Sequence, residues 1–370
     1  MKIAFCTPFK SLSTPKISGD VTIAEGLLSF FQSQGHAIWR VPQVTTTHIW
    51  KQPRVWGKAY SAMQIVKETL TTPDAPDIWF TYHSYYKAPD ILGTLASQTG
   101  IPYCIFAPSH APKRENSWST KPGYYMNLRA LQKATHLFTN KTRDIEGLSQ
   151  VVPEESITFI SPGIHTHRFV RDTSKREAYR TEWNAGNNPV VLTIAMLREG
   201  TKSEGVEHVI NACHTLVSQG QKLTLVVGGD GVMRDHLQQR ANELLPDCNV
   251  FLGFVPEKEL PAVYSSCDVF AFPGINEGLG MVYLEAQCCG LPVVAWDHDG
   301  APQVVLDEKT GFITPSYNED HFTQAIGRLL SNTELRKEMG EAAIDHAVTH
   351  HDITKNYMAL DDKMRTIAGV

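Results

Sequence analysis

Short apolar runs alternate with stretches of helical period along this chain, and no other feature constrains its fold as tightly. Strands separated by helices run parallel, because a helical crossover returns the chain to the same end of the sheet. The pattern therefore predicts an α/β protein with helices on both faces of its sheets. The first runs are Lys2 to Cys6 and Ala37 to Val41. Between them Val21, Ala24, Leu28 and Phe31 fall on one helix face, which Gly35-His36 ends, giving one βαβ unit. Further strands are predicted at Ile78 to Thr81, Tyr103 to Ala107, Leu137 to Asn140 and Ile157 to Ile160. A second series follows at Val190 to Met196, Leu223 to Gly228, Val250 to Leu252, Val269 to Phe272, Pro292 to Ala295 and Gly311 to Ile313. The polar, Arg- and Thr-rich stretch over 164–188 reads as a linker between them. The expected architecture is two Rossmann-like, doubly wound parallel-sheet domains facing a central cleft. They would cover 1–165 and 166–348, with a helix in 349–370 crossing back to the first. Ligands in such sheets sit beyond the carboxyl ends of the strands, so the loops after these runs are where chemistry is sought.

Composition narrows the function classes. At 370 residues, 42% hydrophobic and 20% charged, the chain suits two globular domains and excludes a disordered or fibrous one. The longest notable apolar run, Val190 to Leu197, falls well short of the roughly 20 residues that span a bilayer. The apolar start, Met1 to Phe5, gives way to Thr7-Pro8 too soon for a secretory signal. Seven scattered cysteines without a CxxC pair predict reduced thiols, so a cytoplasmic protein is expected. Charge is uneven: residues 1–165 hold 16 Lys and Arg against 11 Asp and Glu, and the rest holds 18 against 28. A basic first half fits an anionic lipid surface or an acidic acceptor, and equally an ordinary solvated surface.

The most informative segment runs from Pro273 to Ala286, after a predicted strand and into a helix. Gly278 and Gly280 allow backbone amides to approach a ligand closely. The helix start beyond them offers unpaired N–H groups and the positive end of a dipole, which suits a diphosphate. Glu277 at the loop mouth can accept hydrogen bonds from sugar hydroxyls, and Glu285, a turn into the helix, from a ribose diol. Spacing alone also fits two solvated acids and a pair of turn glycines.

This segment resembles the donor-site motif of glycosyltransferase family 4, in which two glutamates separated by seven residues flank a Gly-x-Gly. The likeness extends to Phe251-Leu252-Gly253-Phe254-Val255-Pro256, Cys267-Asp268-Val269-Phe270 and Ala286 to Ala295. It also takes in Gly311-Phe312 with Pro315, the turn Val226 to Gly231, and Ser161-Pro162-Gly163-Ile164 with Phe169. The resemblance is strong over 160–345 and weaker before it. It implies the GT-B fold, a nucleotide diphosphate sugar as donor, and transfer with retention of anomeric configuration. Residue by residue, it assigns Glu277 to the donor sugar and Glu285 to the ribose. Backbone at Gly278, Leu279, Gly280, Met281 and Val282 would line the sugar and phosphates, and the main chain of Val255 the base. Of the cation pair that the family sets against the diphosphate, Lys202 matches the lysine. Met196 stands where the arginine belongs, and Arg198, two residues on, is the substitute. His110, in the loop after Tyr103 to Ala107, matches a histidine that touches the donor sugar, with His83 as its competitor. Gly19 matches a glycine loop near the phosphates, shortened here to one residue. The catalytic set is thus His110, Lys202, Arg198 and Glu277, with no metal and no cofactor: the leaving diphosphate would be stabilised by cations and a helix dipole.

Asp297-His298-Asp299 spells the DxD of metal-using transferases of another fold, but it occupies this family's glycine-rich loop. His165 with His167, and His350 with His351, lack partners at zinc-ligand spacing. Trp50, Lys51, Arg54, Trp56 and Lys58 mix rings with cations, as do Lys113, Arg114, Trp118, Lys121, Tyr124 and Tyr125. Such mixtures suit a membrane interface, and equally acceptor-loop packing with solvated charges; a hexose-type sugar is expected to pass to a lipid-linked or cell-envelope polysaccharide acceptor at the inner membrane face, or to a small molecule, with no nucleic acid partner. Two other readings stay open: another GT-B enzyme, such as a nucleotide-sugar epimerase or a phosphorylase, and a non-catalytic nucleotide-sugar-binding protein.

Overall fold

A computed structural model describes residues 1–10 and 19–370. The chain divides into two compact units, Met1–Ser161 with Thr354–Val370, and Pro162–Ile353. The first unit holds β1 (Lys2–Cys6), β2 (Ala37–Arg40), β3 (Ile78–Tyr82), β4 (Tyr103–Phe106), β5 (His136–Thr139) and β6 (Ile157–Phe159). The second holds β7 (Val190–Ile194), β8 (Thr224–Gly228), β9 (Asn249–Gly253), β10 (Val269–Ala271), β11 (Val293–Trp296) and β12 (Gly311–Thr314). Each set forms one parallel six-stranded sheet, ordered β2-β1-β3-β4-β5-β6 and β12-β11-β10-β7-β8-β9.

The strands are nearly continuous apolar runs because both faces of each sheet are covered. Every residue of β3, β4, β8 and β11 is buried. The helix Gly19–Ser33 lays Val21, Ala24, Leu27, Leu28, Phe30 and Phe31 inward, wider than the four-residue stripe its period shows. In both sheets the first strand has neighbours on either side: β1 lies between β2 and β3, and β7 between β8 and β10. Strand order reverses there, and loops leaving neighbouring strands diverge to open a crevice at their carboxyl ends.

Two expectations need correction. The predicted run to Met196 stops as a strand at Ile194. The chain beyond it instead bonds along the glycine turn after β8, with Leu197 N–H donating to Asp230 O at 2.9 Å. Met196 consequently stands 58% exposed. The stretch over 164–188 is no tether either. It contains the helix Arg176–Glu182 and buries Phe169, Trp183 and Ala185 in the second core. Arg176 and Arg180 reach Asp268 at 2.7 and 3.0 Å, so charges that read as solvated linker clamp a helix to the base of β10. The helix Ile353–Ala368 brings Tyr357 to Phe30, with ring centroids 5.5 Å apart, and Asp361 to His36 at 2.7 Å, both in the first unit.

Candidate donor-binding site

The second unit's candidate site is built at its switch point, where β10 and β7 run side by side. β10 leads through a loop into the helix Met281–Cys288. That loop turns on three left-handed residues: Gly274 at φ +79°, Asn276 at +57° and Gly280 at +67°. At Gly280 a side chain would also collide, since a Cβ there lies 2.8 Å from Val304 Cγ2 and 3.1 Å from Gly300 O. Gly300 in turn donates its N–H to Glu277 O at 2.8 Å, and a Cβ on it would sit 2.6 Å from that oxygen. Two backbones thus touch without side chains between them, and this fixes the helix start. The amides of Met281 and Val282 have no intrahelical acceptor at that end, and the dipole adds to their attraction for an anion.

From the neighbouring strand, β7 leads to Gly200 and the helix Thr201–Ser218, which carries Lys202 in its first turn. The Lys202 ammonium is in contact with the Glu277 carboxylate, their side chains 18% and 15% exposed. Strand adjacency unites them across 75 residues of sequence. Burial first, and the Arg198 guanidinium second, lower Lys202 from its usual value to about 8 despite that carboxylate. Lys202 also lies 5.5 Å from the Phe272 ring centroid. Arg198 is exposed and makes no ion pair among the described residues, while its carbonyl accepts from Ser203 Oγ at 2.7 Å. Lys202 is therefore the desolvated cation beside the glycine loop, with Arg198 exposed to solvent but near enough to act on it.

Glu285 lies four residues past Met281, its Oε2 accepting from the buried Tyr264 hydroxyl at 2.9 Å. Desolvation raises its carboxyl to about 7, against the lowering effect of the Tyr264 bond. Tyr264 escaped sequence reasoning, for nothing local ties it to an acid 21 residues away. Val255 is half-buried just past β9, with its Cγ2 3.6 Å from where a Cβ on Gly228 would be. Phe254, 75% exposed, stands beside it. The second unit thus brings Lys202, Glu277 and the stretch Gly278 to Val282 together, with Glu285 on the same helix.

In the first unit, Gly19 opens the helix Gly19–Ser33 and is exposed, but the loop before it lies outside the described residues. His110 follows β4, and both of its ring nitrogens are engaged: Nδ1 with Gly147 O at 2.9 Å and Nε2 with the Tyr124 hydroxyl at 3.2 Å. These two bonds hold the His110 ring against its own unit. His83, the competitor, has φ +64°, and among the described residues only its Nδ1 is hydrogen-bonded. Among the described residues no group of three His, Cys, Asp or Glu side chains is arranged to hold a metal ion. Asp299 of the DxD pairs with His298 at 3.1 Å, and His351 with His346 at 3.2 Å.

Comparison with known proteins places the chain in a family and a fold. The sequence profile of "Glycosyl transferases group 1" matches residues 175–346. The GDP-mannose-dependent alpha-(1-6)-phosphatidylinositol monomannoside mannosyltransferase of Mycolicibacterium smegmatis is 31% identical over 328 residues, 86% of this chain and 82% of that enzyme. The D-inositol 3-phosphate glycosyltransferase of Corynebacterium aurimucosum is 30% identical over 214 residues, 56% of this chain and 50% of its own. Among solved structures, Anabaena Alr3699/HepE in complex with UDP aligns with TM-score 0.72 at 17% identity, over 99% of this chain and all of that one. Sucrose-phosphate synthase from Thermosynechococcus elongatus aligns with TM-score 0.70 at 15% identity, over 99% and 98%. These last two likenesses are of fold alone.

Proposed function

The chain belongs to the glycosyl transferases of group 1, and from that premise we propose that it moves a hexose-type sugar from a nucleotide diphosphate to an acceptor hydroxyl, with retention and without a metal. The observation that carries this reading is the contact of Lys202 with Glu277 at the mouth of an amide-lined helix start. In the reaction the bond from anomeric carbon to diphosphate breaks and negative charge grows on the leaving oxygens. Lys202, Arg198 and the amides of Met281 and Val282 meet that charge, and a fixed donor stabilises it more than mobile water does. Glu277 turns from the ammonium to the sugar hydroxyls, while Glu285 takes the ribose diol and Val255 borders the base. The smegmatis relative makes GDP-mannose the first donor to try and an inositol- or mannose-bearing lipid the first acceptor.

Released nucleoside diphosphate, measured across a panel of GDP- and UDP-sugars, tests the proposal. We expect one donor to be turned over at an unchanged rate in EDTA. A protein that binds donors but leaves them intact would be a binder, and one that returns an isomerised donor would be an epimerase; either result defeats the reading.

The acceptor side of the proposal includes an anionic membrane surface. Trp50 Nε1–H donates to Ser119 O at 3.2 Å, and Gly123 packs under the Trp50 ring, so the two aromatic and basic segments meet on one face. Trp118 is 89% exposed there, and Arg54, Lys58, Lys113 and Lys121 of these segments are at the surface. Rings at headgroup depth and cations above them suit anionic lipid. Flotation should show the protein on phosphatidylglycerol vesicles in low salt and released in high salt. Equal binding to phosphatidylcholine vesicles would remove the electrostatic account.

A further inference from the structure

At the first unit's own switch point, β3 lies beside β1 and ends at Tyr82, with His83 the next residue. This residue has φ +64°, and Ala107, one strand over, has +53°. Both are side-chain-bearing residues in the left-handed region, which such residues occupy only where their surroundings enforce it. The surroundings here do so. His83 N–H donates to Phe106 O at 2.8 Å, and its Nδ1 bonds Ala107 O at 2.9 Å. Behind them Ser84 Oγ donates to Asn127 Oδ1 at 2.8 Å, and Asn127 Nδ2 donates to Ser109 O at 2.9 Å, which ties the two loops together.

A carbonyl can only accept, so Nδ1 carries the proton and Nε2 holds a lone pair. No hydrogen bond reaches that Nε2 among the described residues. Phe9 and Tyr85 stand 5.4 and 4.7 Å from the imidazole, centroid to centroid. Burial lowers His83, reinforced by Lys141 and Lys10 and opposed by the Ala107 bond and Asp20, which keeps the ring neutral near pH 7. A neutral acceptor between aromatic rings repels phosphate oxygens and takes a hydroxyl donor. Sugars and polyols offer that hydroxyl together with an apolar C–H face for the rings.

We infer that His83 forms a hydroxyl-binding subsite in which Nε2 accepts from a sugar or polyol O–H and Phe9 and Tyr85 flank the carbon skeleton. The inference rests on the sugar-transfer reading and gives His83 a substrate contact of its own, beside whatever role His110 has. The hydroxyl comes from the acceptor or from the donor sugar, and kinetics separate the two. His83→Asn is the informative variant. Asparagine tolerates φ > 0 and its amide can donate to Ala107 O, but it places no acceptor at the Nε2 position. We expect it to keep the wild-type Tm and the wild-type Kd for GDP or UDP alone. Its kcat/KM for transfer to octyl α-D-mannopyranoside should fall at least about 30-fold. A rise confined to the acceptor KM assigns the hydroxyl to the acceptor. A rise in the donor KM, with diphosphate binding unchanged, assigns it to the donor sugar. Wild-type values for both in His83→Asn overturn the subsite while leaving the transfer reading intact. Failure of the wild-type protein to bind any nucleotide sugar would instead defeat the transfer reading itself.

Discussion

Lys202→Met is expected to lower kcat by about 10²–10³-fold, the loss that follows when one preorganised donor to a developing oxyanion is removed. Lys202 is poised for that task. It sits in the first turn of a helix, its ammonium over the Phe272 ring and against the Glu277 carboxylate at the glycine loop. The donor KM should change only a few-fold, because Arg198 and the helix amides still hold the ground-state diphosphate. Glu277→Gln provides the control for a carboxylate left without its counter-ion, and its Tm should match that of the double variant. The same lysine sets the alkaline limb. With its ammonium lowered to about 8, the wild-type kcat/KM should decline as pH rises through that value. Bound diphosphate favours the charged form, so the limb in kcat should lie higher. A Lys202→Met enzyme that kept full turnover, or a wild-type profile flat from pH 7 to 9, would remove the lysine from the mechanism.

Glu285→Gln should weaken donor binding while stabilising the free protein. An acid whose folded-state value is raised costs nothing at a pH where both states are protonated. The cost appears as pH rises above the ordinary carboxyl value of 4.5 and is complete above about 7. At 1.36 kcal/mol per unit that difference bounds the cost at ~3 kcal/mol, and partial solvent access brings it nearer 2. Glutamine is isosteric and neutral, and it still accepts from the Tyr264 hydroxyl. The apo Tm should therefore rise by several degrees at pH 8 and stay unchanged at pH 4. Donor affinity should fall about 10-fold or more, since a ribose diol loses a charged acceptor. An unchanged Tm at pH 8 would show that Glu285 is not strained by burial. Unchanged donor affinity would show that it does not hold the ribose. The gain in stability on loss of function would mark an acid kept for binding at a cost to the fold.

Much of this was legible in the residues. The apolar alternation located all twelve strands to within one or two residues, because in a doubly covered sheet the backbone pattern is the burial pattern. Of the two loop glycines that the sequence singled out, Gly280 adopts the left-handed conformation that glycine permits and Gly278 does not; Gly274 and Asn276 supply the other left-handed turns. His110 could not be judged from its position, since what occupies its nitrogens is a carbonyl 37 residues away and a tyrosine on another helix. The charges over 164–188 misled for the same reason: nothing near Arg176 or Arg180 in sequence reveals Asp268.

Sequence by itself determined the parallel α/β class, the glycine loop that opens a helix after β10 and the two acids placed around it, because periodicity and glycine placement act over a few neighbouring residues. Tertiary structure alone decided which polar groups face one another. Strand order put Lys202 against Glu277, buried Glu285 beside Tyr264, and left His83 with only its Nδ1 hydrogen-bonded among the described residues. Such pairings depend on through-space distances of about 3 Å and on exclusion of water, and chain separation encodes neither.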